Sequence, residues 1–160
     1  MSATGTLGAV LYTSATPMTN VDAAADSIGD FQGLTITTEV GLIDNFGEFG
    51  KQFDLVTFQP VKDGRTRKFK GGYNSGQIQL TMGQDLTDAG QAALKAYADA
   101  ANQNAYPFKI TLVGADSSYD TIFFAARVMS FRTQMGAANS VVKASVMLEI
   151  DSDAFIGAAS

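Results

Sequence analysis

The fold is decided by the stretch Gly76-Gln-Ile-Gln-Leu-Thr-Met-Gly83 and by the run that follows it, Asp85-Leu-Thr-Asp-Ala-Gly-Gln-Ala-Ala-Leu-Lys-Ala-Tyr97. In the first part polar and apolar side chains alternate, which predicts a β-strand with one buried face. In the second part the apolar residues recur with the 3.6-residue spacing of an amphipathic α-helix. We therefore predict a half-buried strand followed by a helix over residues 86–102.

Apolar alternation predicts further strands on both sides of this stretch. It is clear over residues 34–40 and clearest over residues 142–150, whereas residues 119–131 are apolar on both faces and are expected to be covered on both sides. Six or seven strands and one helix predict a mainly β (α+β) fold. The expected form is a β-sandwich or partial barrel of two packed antiparallel sheets flanked by the helix.

The 160 residues have the length of a single domain, and no linker-like change in composition divides them. Outside the strands we expect an N-terminal arm over residues 1–33, in which Val10 to Tyr12 form at most a short strand. A long loop and hairpin are predicted over residues 41–70, and a short tail over residues 151–160. The arm is interpreted either as a frayed terminus or as a docking segment.

Charge is unevenly distributed along the chain. The net charge is −5, and the first 50 residues contain acids but no Lys or Arg. Five basic residues then crowd around a single acid, Asp63: Lys62, Arg65, Arg67, Lys68 and Lys70. An acidic protein is a poor general nucleic-acid binder, because such binding needs a basic surface to displace the counterions of the phosphates.

Three phenylalanines, Phe46, Phe49 and Phe53, lie among glycines in the predicted loop. Large apolar side chains on such a loop either fold back onto the core or await another surface. We favour the second interpretation and predict that these three residues contact a neighbouring subunit.

An Asp63-Gly64 turn places the basic residues at the tip of a predicted hairpin. One interpretation is a solvated tip whose charges protect the strand edges. The other is complementarity to the acidic part of a neighbouring copy. The latter makes Lys62, Arg65, Arg67 and Lys68 candidate inter-subunit contacts.

No catalytic constellation is found in the sequence. The chain has no Cys and no His, which excludes thiolate nucleophiles and histidine acid–base chemistry. Asp85 and Asp88 lie where acids cap a helix, and the remaining Asp residues match no calcium loop. We predict no enzymatic activity, no cofactor and no metal site. The first residues show neither a signal peptide nor a membrane span.

The order of features resembles the major tail tube protein of long-tailed bacteriophages and of related gene transfer agents. The resemblance extends from about residue 34 to residue 151. It is carried by three segments: Lys68-Phe-Lys-Gly-Gly-Tyr-Asn-Ser-Gly-Gln-Ile-Gln-Leu80, Asp85-Leu-Thr-Asp-Ala-Gly-Gln-Ala-Ala-Leu94 and Val141-Val-Lys-Ala-Ser-Val-Met-Leu-Glu-Ile150.

This resemblance implies six copies that close into a ring, and rings that stack into a hollow tube. The implied partners are other copies of the chain, a tape measure protein, and tail terminator and distal tail proteins. DNA would pass through the lumen without specific binding on its way into the host, and no membrane contact is implied. The implied location is the virion tail, with assembly in the host cytoplasm.

A lumen that lets phosphates slide is expected to be polar or acidic rather than basic. The candidate lumen-facing residues are Gln77, Gln79, Thr81, Ser145 and Glu149, although the same polar face is also consistent with the outer surface. Two alternatives to the tail tube stay open. They are a tube protein like that of the type VI secretion apparatus, and a β-sandwich binding module that does not assemble.

Overall fold

The computed structural model describes residues 8–18, 28–112 and 121–157. Two helices lie in this part of the chain, α1 (Ile28–Gln32) and α2 (Ala89–Tyr97). The strands are β1 (Val10–Thr13), β2 (Thr38–Val40), β3 (Ile43–Asn45), β4 (Gln52–Phe58), β5 (Arg67–Asn74), β6 (Gln77–Gly83), β7 (Tyr106–Thr111), β8 (Thr121–Gln134), β9 (Lys143–Ile150) and β10 (Phe155–Gly157). The mainly β prediction is confirmed.

One large antiparallel sheet has the strand order β2-β1-β7-β8-β9-β6-β3, with β10 also paired to β8. Its two edge strands are consecutive in sequence, since only Gly41 and Leu42 separate β2 from β3. The Cα atoms of Val40, where β2 ends, and Ile43, where β3 begins, can lie at most about 11 Å apart. The two edges of a flat seven-stranded sheet would lie about 29 Å apart. The sheet therefore curls until its edges nearly meet, which is the partial-barrel form of the prediction. Strands β4 and β5 form a separate two-stranded sheet.

Helix α2 fills the gap between the two edges of the sheet. The Asp88 carboxylate caps the helix by accepting from the Gln91 N–H (2.9 Å), and it also accepts from the Gly41 N–H (3.2 Å). Gly90 lies directly against the Glu39 carbonyl, where a Cβ atom would collide with the backbone of β2. Leu94 and Tyr97 are buried in the barrel interior. The helix thus holds both edges of the sheet in place.

The helix is shorter than the predicted span of residues 86–102. At its start, the Asp85 side chain accepts from both the N–H and the hydroxyl of Thr87, which holds residues 85–87 in a turn. At its end, Ala98 is the C-cap, and the chain continues in turns in which Asp99 N–H donates to the Ala96 carbonyl. Local side-chain hydrogen bonds therefore replace helical ones at the N-terminal end.

The side chains of β8 alternate between two apolar clusters over residues 121–128, which confirms for this part the expectation that the strand is covered on both sides. Met129 is 60% exposed, contrary to the expectation, and residues 119–120 lie outside the described residues. Phe124, Ala126 and Val128 face the barrel interior together with the apolar residues of β6 and β9. Phe123 and Ala125 face a second cluster on the outside of the barrel. The other buried members of that outer cluster are Met18, Phe31 and Ile36.

The terminal segments supply this outer cover, which corrects the predicted arm over residues 1–33 where the structure describes it. Strand β1 lies inside the sheet between β2 and β7, and Leu11 is fully buried. Phe31 of α1 stacks on Phe123 at a ring distance of 5.9 Å. In the predicted tail, β10 pairs with the start of β8. The parts of the arm and tail at residues 1–7, 19–27 and 158–160 lie outside the described residues.

The predicted strand over residues 34–40 is also shorter than expected, because only Thr38–Val40 pair. Ile36 belongs to the outer cluster and Val40 to the inner one, so the chain crosses from one side of the sheet to the other between them. Within the described residues, neither helix is long or apolar enough to span a membrane.

Candidate functional site

The β4–β5 hairpin extends away from the barrel and exposes apolar side chains. Every residue of the two strands is solvent-exposed except Gly71, which is half-buried. An isolated two-stranded hairpin is only marginally stable in water, and an exposed apolar patch of this kind usually marks an interaction site. The large exposed apolar residues of the hairpin are Phe53, Leu55, Val56, Phe58, Val61, Phe69 and Tyr73.

The tip of the hairpin carries the predicted basic residues. Gly64 has a positive φ of 62°, and its N–H donates to the Pro60 carbonyl at 2.9 Å, which closes the turn. Arg67 forms an ion pair with Asp63 at 2.8 Å. Among the described residues, no carboxylate lies within ion-pair distance of the remaining predicted contacts, Lys62, Arg65 and Lys68. Five basic and two acidic residues between positions 52 and 74 give the hairpin a net charge of +3.

An aromatic pair joins the two strands at the base of the hairpin. The Phe53 and Tyr73 rings lie 5.3 Å apart, with Lys70 over the Phe53 ring (4.2 Å) and Lys51 over the Tyr73 ring (4.6 Å). Lys51 also forms an ion pair with Asp153 at 3.2 Å, which links the hairpin base to the C-terminal segment. Phe53 is nevertheless 40% exposed.

Phe46 and Phe49 fold back onto the barrel, in contrast to the interpretation that we favoured from the sequence. Both are half-buried against the main core, and Phe49 lies 5.9 Å from the Phe124 ring. Their loop runs closely along β6, since a Cβ atom on Gly47 would lie only 2.9 Å from the Gln79 carbonyl oxygen. Gly47 also has a positive φ of 75°, which favours glycine. Of the three phenylalanines, Phe53 is the one on the exposed hairpin. A contact of all three with a neighbour stays a prediction.

The five predicted lumen-facing residues are brought together on one face of the β6–β9 pair. Gln77 is paired with Glu149, and Thr81 with Ser145. Gln79 Nε2 donates to Ser145 Oγ at 3.3 Å. The alternate residues of both strands are buried in the barrel interior, so the polar face is the outer face of the barrel wall.

Three cations lie on the same face; alternation along β9 also places Lys143 there, whereas Arg127 and Arg132 of β8 are not predicted on it. Lys143 is on β9, and the β8 residues Arg127 and Arg132 are paired with Glu149 and Ser145. Two of the three are neutralised, because Lys143 pairs with Asp44 (3.2 Å) and Arg127 with Asp151 (2.8 Å). A bulge at Met129 shifts the register of β8, so that Arg132 lies on the same face as Arg127 although strict alternation would place it on the opposite face. The face is thus polar with mixed charge.

In the part of the chain that the structure describes, strand β8 also presents a free edge. Strand β7 pairs with it only as far as Ala126, whereas β9 pairs with it as far as Gln134. Among the described residues, no strand therefore occupies the second edge of residues 127–134. Unpaired N–H and C=O groups along such an edge are a template for a strand from another chain.

The groups with shifted pKa values serve structure. Hydrogen bonds from Thr87 lower the pKa of Asp85 in the turn before α2. Burial raises the pKa of Tyr97, whose hydroxyl donates to the Ser14 carbonyl at 2.9 Å. Neither group faces a partner suited to acid–base catalysis. No cluster of three or more potential metal ligands occurs within residues 8–18, 28–112 and 121–157.

Solved structures share this architecture over nearly the whole chain. A chain from the anti-feeding prophage (AFP) baseplate superimposes with a TM-score of 0.68 at 11% identity, covering 100% of this chain and 99% of the other. A chain from the sheath/tube terminator structure of the extracellular contractile injection system PVC gives 0.66 at 12%, covering 98% and 97%. The SPP1 tail tube gives 0.55 at 17%, covering 94% and 76%. This chain and these structures share one fold, which we call the tail tube fold after the SPP1 protein.

The tail tube fold confirms, at the level of architecture, the resemblance stated from the sequence. No family model matches the sequence, and no curated protein matches it either. At these identities the shared feature is the fold itself. The roles of individual residues must therefore be argued from the surfaces of this chain.

Proposed function

We propose that this protein is a structural, non-enzymatic subunit that assembles with copies of itself into a tail-like tube. The observation that carries the proposal is the β4–β5 hairpin, a basic and apolar extension that the barrel leaves uncovered. Burial of the hairpin against another subunit would remove its apolar side chains from water. The tail tube fold of the chain supports the same conclusion.

Side-by-side joining of subunits is supported by the free edge of β8. A strand from a neighbour would pair with residues 127–134 and extend the sheet across the subunit boundary. Repetition of that contact with a constant rotation closes a ring, and the resemblance to tail tube proteins points to six copies. Stacked rings would then form the tube of a virion tail, built in the host cytoplasm. Tape measure, tail terminator and distal tail proteins would be its partners.

The polar face of β6 and β9 is the proposed lining of the channel. Its predicted residues Gln77, Gln79, Thr81, Ser145 and Glu149 offer hydrogen bonds but no array of unpaired cations to retain phosphates. The ion pairs of Lys143 and Arg127 reduce the attraction of this face for DNA. DNA would therefore pass through the channel during ejection without specific binding.

A second candidate role is a tube or tube-end subunit of a contractile injection system, related to the type VI alternative. It is favoured by the similarity to chains from the PVC sheath/tube terminator and the AFP baseplate and cap structures. A tube-end or type VI-like subunit would form discrete rings, whereas a tail tube subunit would form continuous tubes.

Negative-stain electron microscopy and sedimentation velocity of the purified chain test these roles over a range of protein and salt concentrations. We expect hollow tubes whose length increases with protein concentration. Discrete rings at every concentration would favour the tube-end role. A monomer that persists at high concentration in every salt condition would refute self-assembly and favour the non-assembling binding module.

A further inference from the structure

A second exposed apolar surface lies where β3, β6 and β9 meet. The Gly83 N–H donates to the Leu42 carbonyl, and the Gln84 N–H donates to the Val142 carbonyl, both at 2.9 Å. Together with the pairing of Gln134 with Lys143, these contacts place four exposed apolar residues at the same end of the sheet, and we call them the end patch. The end patch consists of four side chains that are 63 to 84% exposed: Leu42, Leu86, Met135 and Val141.

The end patch and the hairpin lie at opposite ends of β6. The hairpin ends at Asn74, just before β6 begins at Gln77, and the end patch surrounds Gly83 at the other end of that strand. Seven strand residues separate the two surfaces by about 20 Å. One molecule therefore exposes two different apolar surfaces at opposite ends of the same strand.

The surroundings of the end patch are acidic, whereas the hairpin is basic. A groove of about 470 Å³ next to Leu86 is lined by Asp85, Asp99 and Lys95, with Phe131 at its side. Asp44 and Lys143 pair close to Leu42, and Asp88 contacts Gly41. Four carboxylates thus outnumber the two ammonium groups and the Arg132 guanidinium near a surface that would meet a hairpin with a net charge of +3.

We propose that the end patch is the acceptor surface for the hairpin of a second copy of this chain. The proposal rests on the proposed self-assembly and specifies which surfaces meet. Because donor and acceptor are different surfaces, the contact is heterologous. Each added copy presents a new free hairpin at one end and a new free end patch at the other. Because a heterologous contact that does not close into a ring builds a filament, the proposed contact would allow growth along the β6 direction to continue.

The double variant Leu86→Glu/Val141→Glu tests the acceptor surface. Both side chains are exposed, so we expect the variant to fold with an unchanged circular dichroism spectrum and to lose tube formation at concentrations where the unaltered chain forms tubes. The matched control is Ile156→Glu, an exposed apolar residue of β10 on neither surface, which should still form tubes. Normal tubes from the double variant would refute the acceptor assignment and leave self-assembly intact. A failure of the unaltered chain to associate would refute both proposals.

Cysteine cross-linking tests the pairing directly, because the chain has no Cys of its own. Val61→Cys at the hairpin tip is mixed with Leu86→Cys in one sample and with Ile156→Cys in the other, under mild oxidation. We expect the Val61–Leu86 mixed disulfide to exceed the Val61–Ile156 product at least tenfold on a non-reducing gel. Equal yields of the two products would contradict the proposal.

Discussion

At the scale of single residues, Gly90 decides how closely α2 approaches β2. A side chain at this position would collide with the Glu39 carbonyl and with Val40. We expect Gly90→Ala to lower the free energy of unfolding by about 1–3 kcal/mol, since the helix must move away from the sheet edge. Urea denaturation followed by circular dichroism provides the measurement.

The matched control for this substitution is Gly72→Ala. Gly72 has an ordinary negative φ, and a Cβ atom built there meets no heavy atom within 4 Å. We expect its effect to be below about 1 kcal/mol. Equal effects of the two substitutions would contradict the role given to Gly90.

Because Tyr97 is buried, the stability of the fold should decrease at alkaline pH. Burial raises the pKa of Tyr97 above the ordinary tyrosine value of 10.0, so the folded chain holds this proton more tightly than the unfolded chain does. Its contribution to stability is fully present below pH 10.0 and is lost as the pH rises through the raised pKa. We expect the stability difference between the unaltered chain and Tyr97→Phe to shrink above pH 10.0.

Denaturant titrations at several pH values measure this difference. A difference between Tyr97→Phe and the unaltered chain that stays constant up to the highest accessible pH would argue against burial as the cause.

The capping role of Asp88 was predictable from the sequence, but the full role of Gln91 was not. The spacing of the two residues indicates a capping box, and the Asp88 carboxylate does accept from the Gln91 N–H. The Gln91 side chain, however, donates to the carbonyls of Gly41 (3.0 Å) and Gly83 (2.8 Å). These partners lie 50 and 8 residues away in sequence, and a local pattern carries no information about them.

At the scale of elements, the 46–51 loop and the hairpin should respond differently to the loss of a phenyl ring. Phe49 packs on Phe124, so we expect Phe49→Ala to lower the free energy of unfolding by about 1–3 kcal/mol. Phe58 is exposed on the hairpin, so Phe58→Ala should change it by less than about 0.5 kcal/mol while weakening assembly.

Chemical denaturation and electron microscopy of both variants separate the two effects. Phe46→Ala, in the same loop as Phe49 and also half-buried, should behave like Phe49→Ala. A Phe49→Ala variant with unchanged stability would contradict core packing of Phe49 and favour its role as a contact with a neighbouring subunit.

Long strands with one buried face were predictable, whereas short elements were not. Alternation over seven or eight residues located β6 and β9, because burial of one face imposes a period of two. Strands β3 and β10 have three residues each, and α1 has five. Segments this short are stabilised by their neighbours in space rather than by their own sequence pattern.

At the scale of the whole molecule, the separation of charge predicts salt-sensitive assembly. Arg65→Glu changes the hairpin from +3 to +1, because each reversal removes two units of charge. We expect this variant to assemble only at a higher protein concentration than the unaltered chain, with the difference decreasing as salt screens the charges. Light scattering against protein concentration at low and high salt gives the concentration at which each variant assembles and its dependence on salt.

Lys109→Glu is the control for the charge reversal. It changes the net charge of the molecule equally but lies on β7, where its ammonium group is 4.8 Å from the Tyr12 ring centroid. Equal effects of the two reversals would assign the salt sensitivity to net charge rather than to the hairpin.

The closure of the barrel could not be predicted from local patterns. It depends on β2 and β3 occupying opposite edges of one sheet, and this strand order is set by pairings between segments that are distant in sequence. The two-residue connection Gly41-Leu42 looks like an ordinary turn in the sequence. Its role in closing the barrel follows only from the pairing of β2 with β1 and of β3 with β6.

The strand order also sets when the barrel can form during translation. Strand β9 joins β8 to β6, so β6 and β3 have no place in the sheet until residue 150 has left the ribosome exit tunnel. The hairpin is synthesised long before that point, but the end patch includes Met135 and Val141 and is completed late. If the hairpin binds the end patch as proposed, nascent chains on neighbouring ribosomes would expose hairpins before their own acceptor surfaces are complete, and polymerisation between them would be delayed until the subunits have been released.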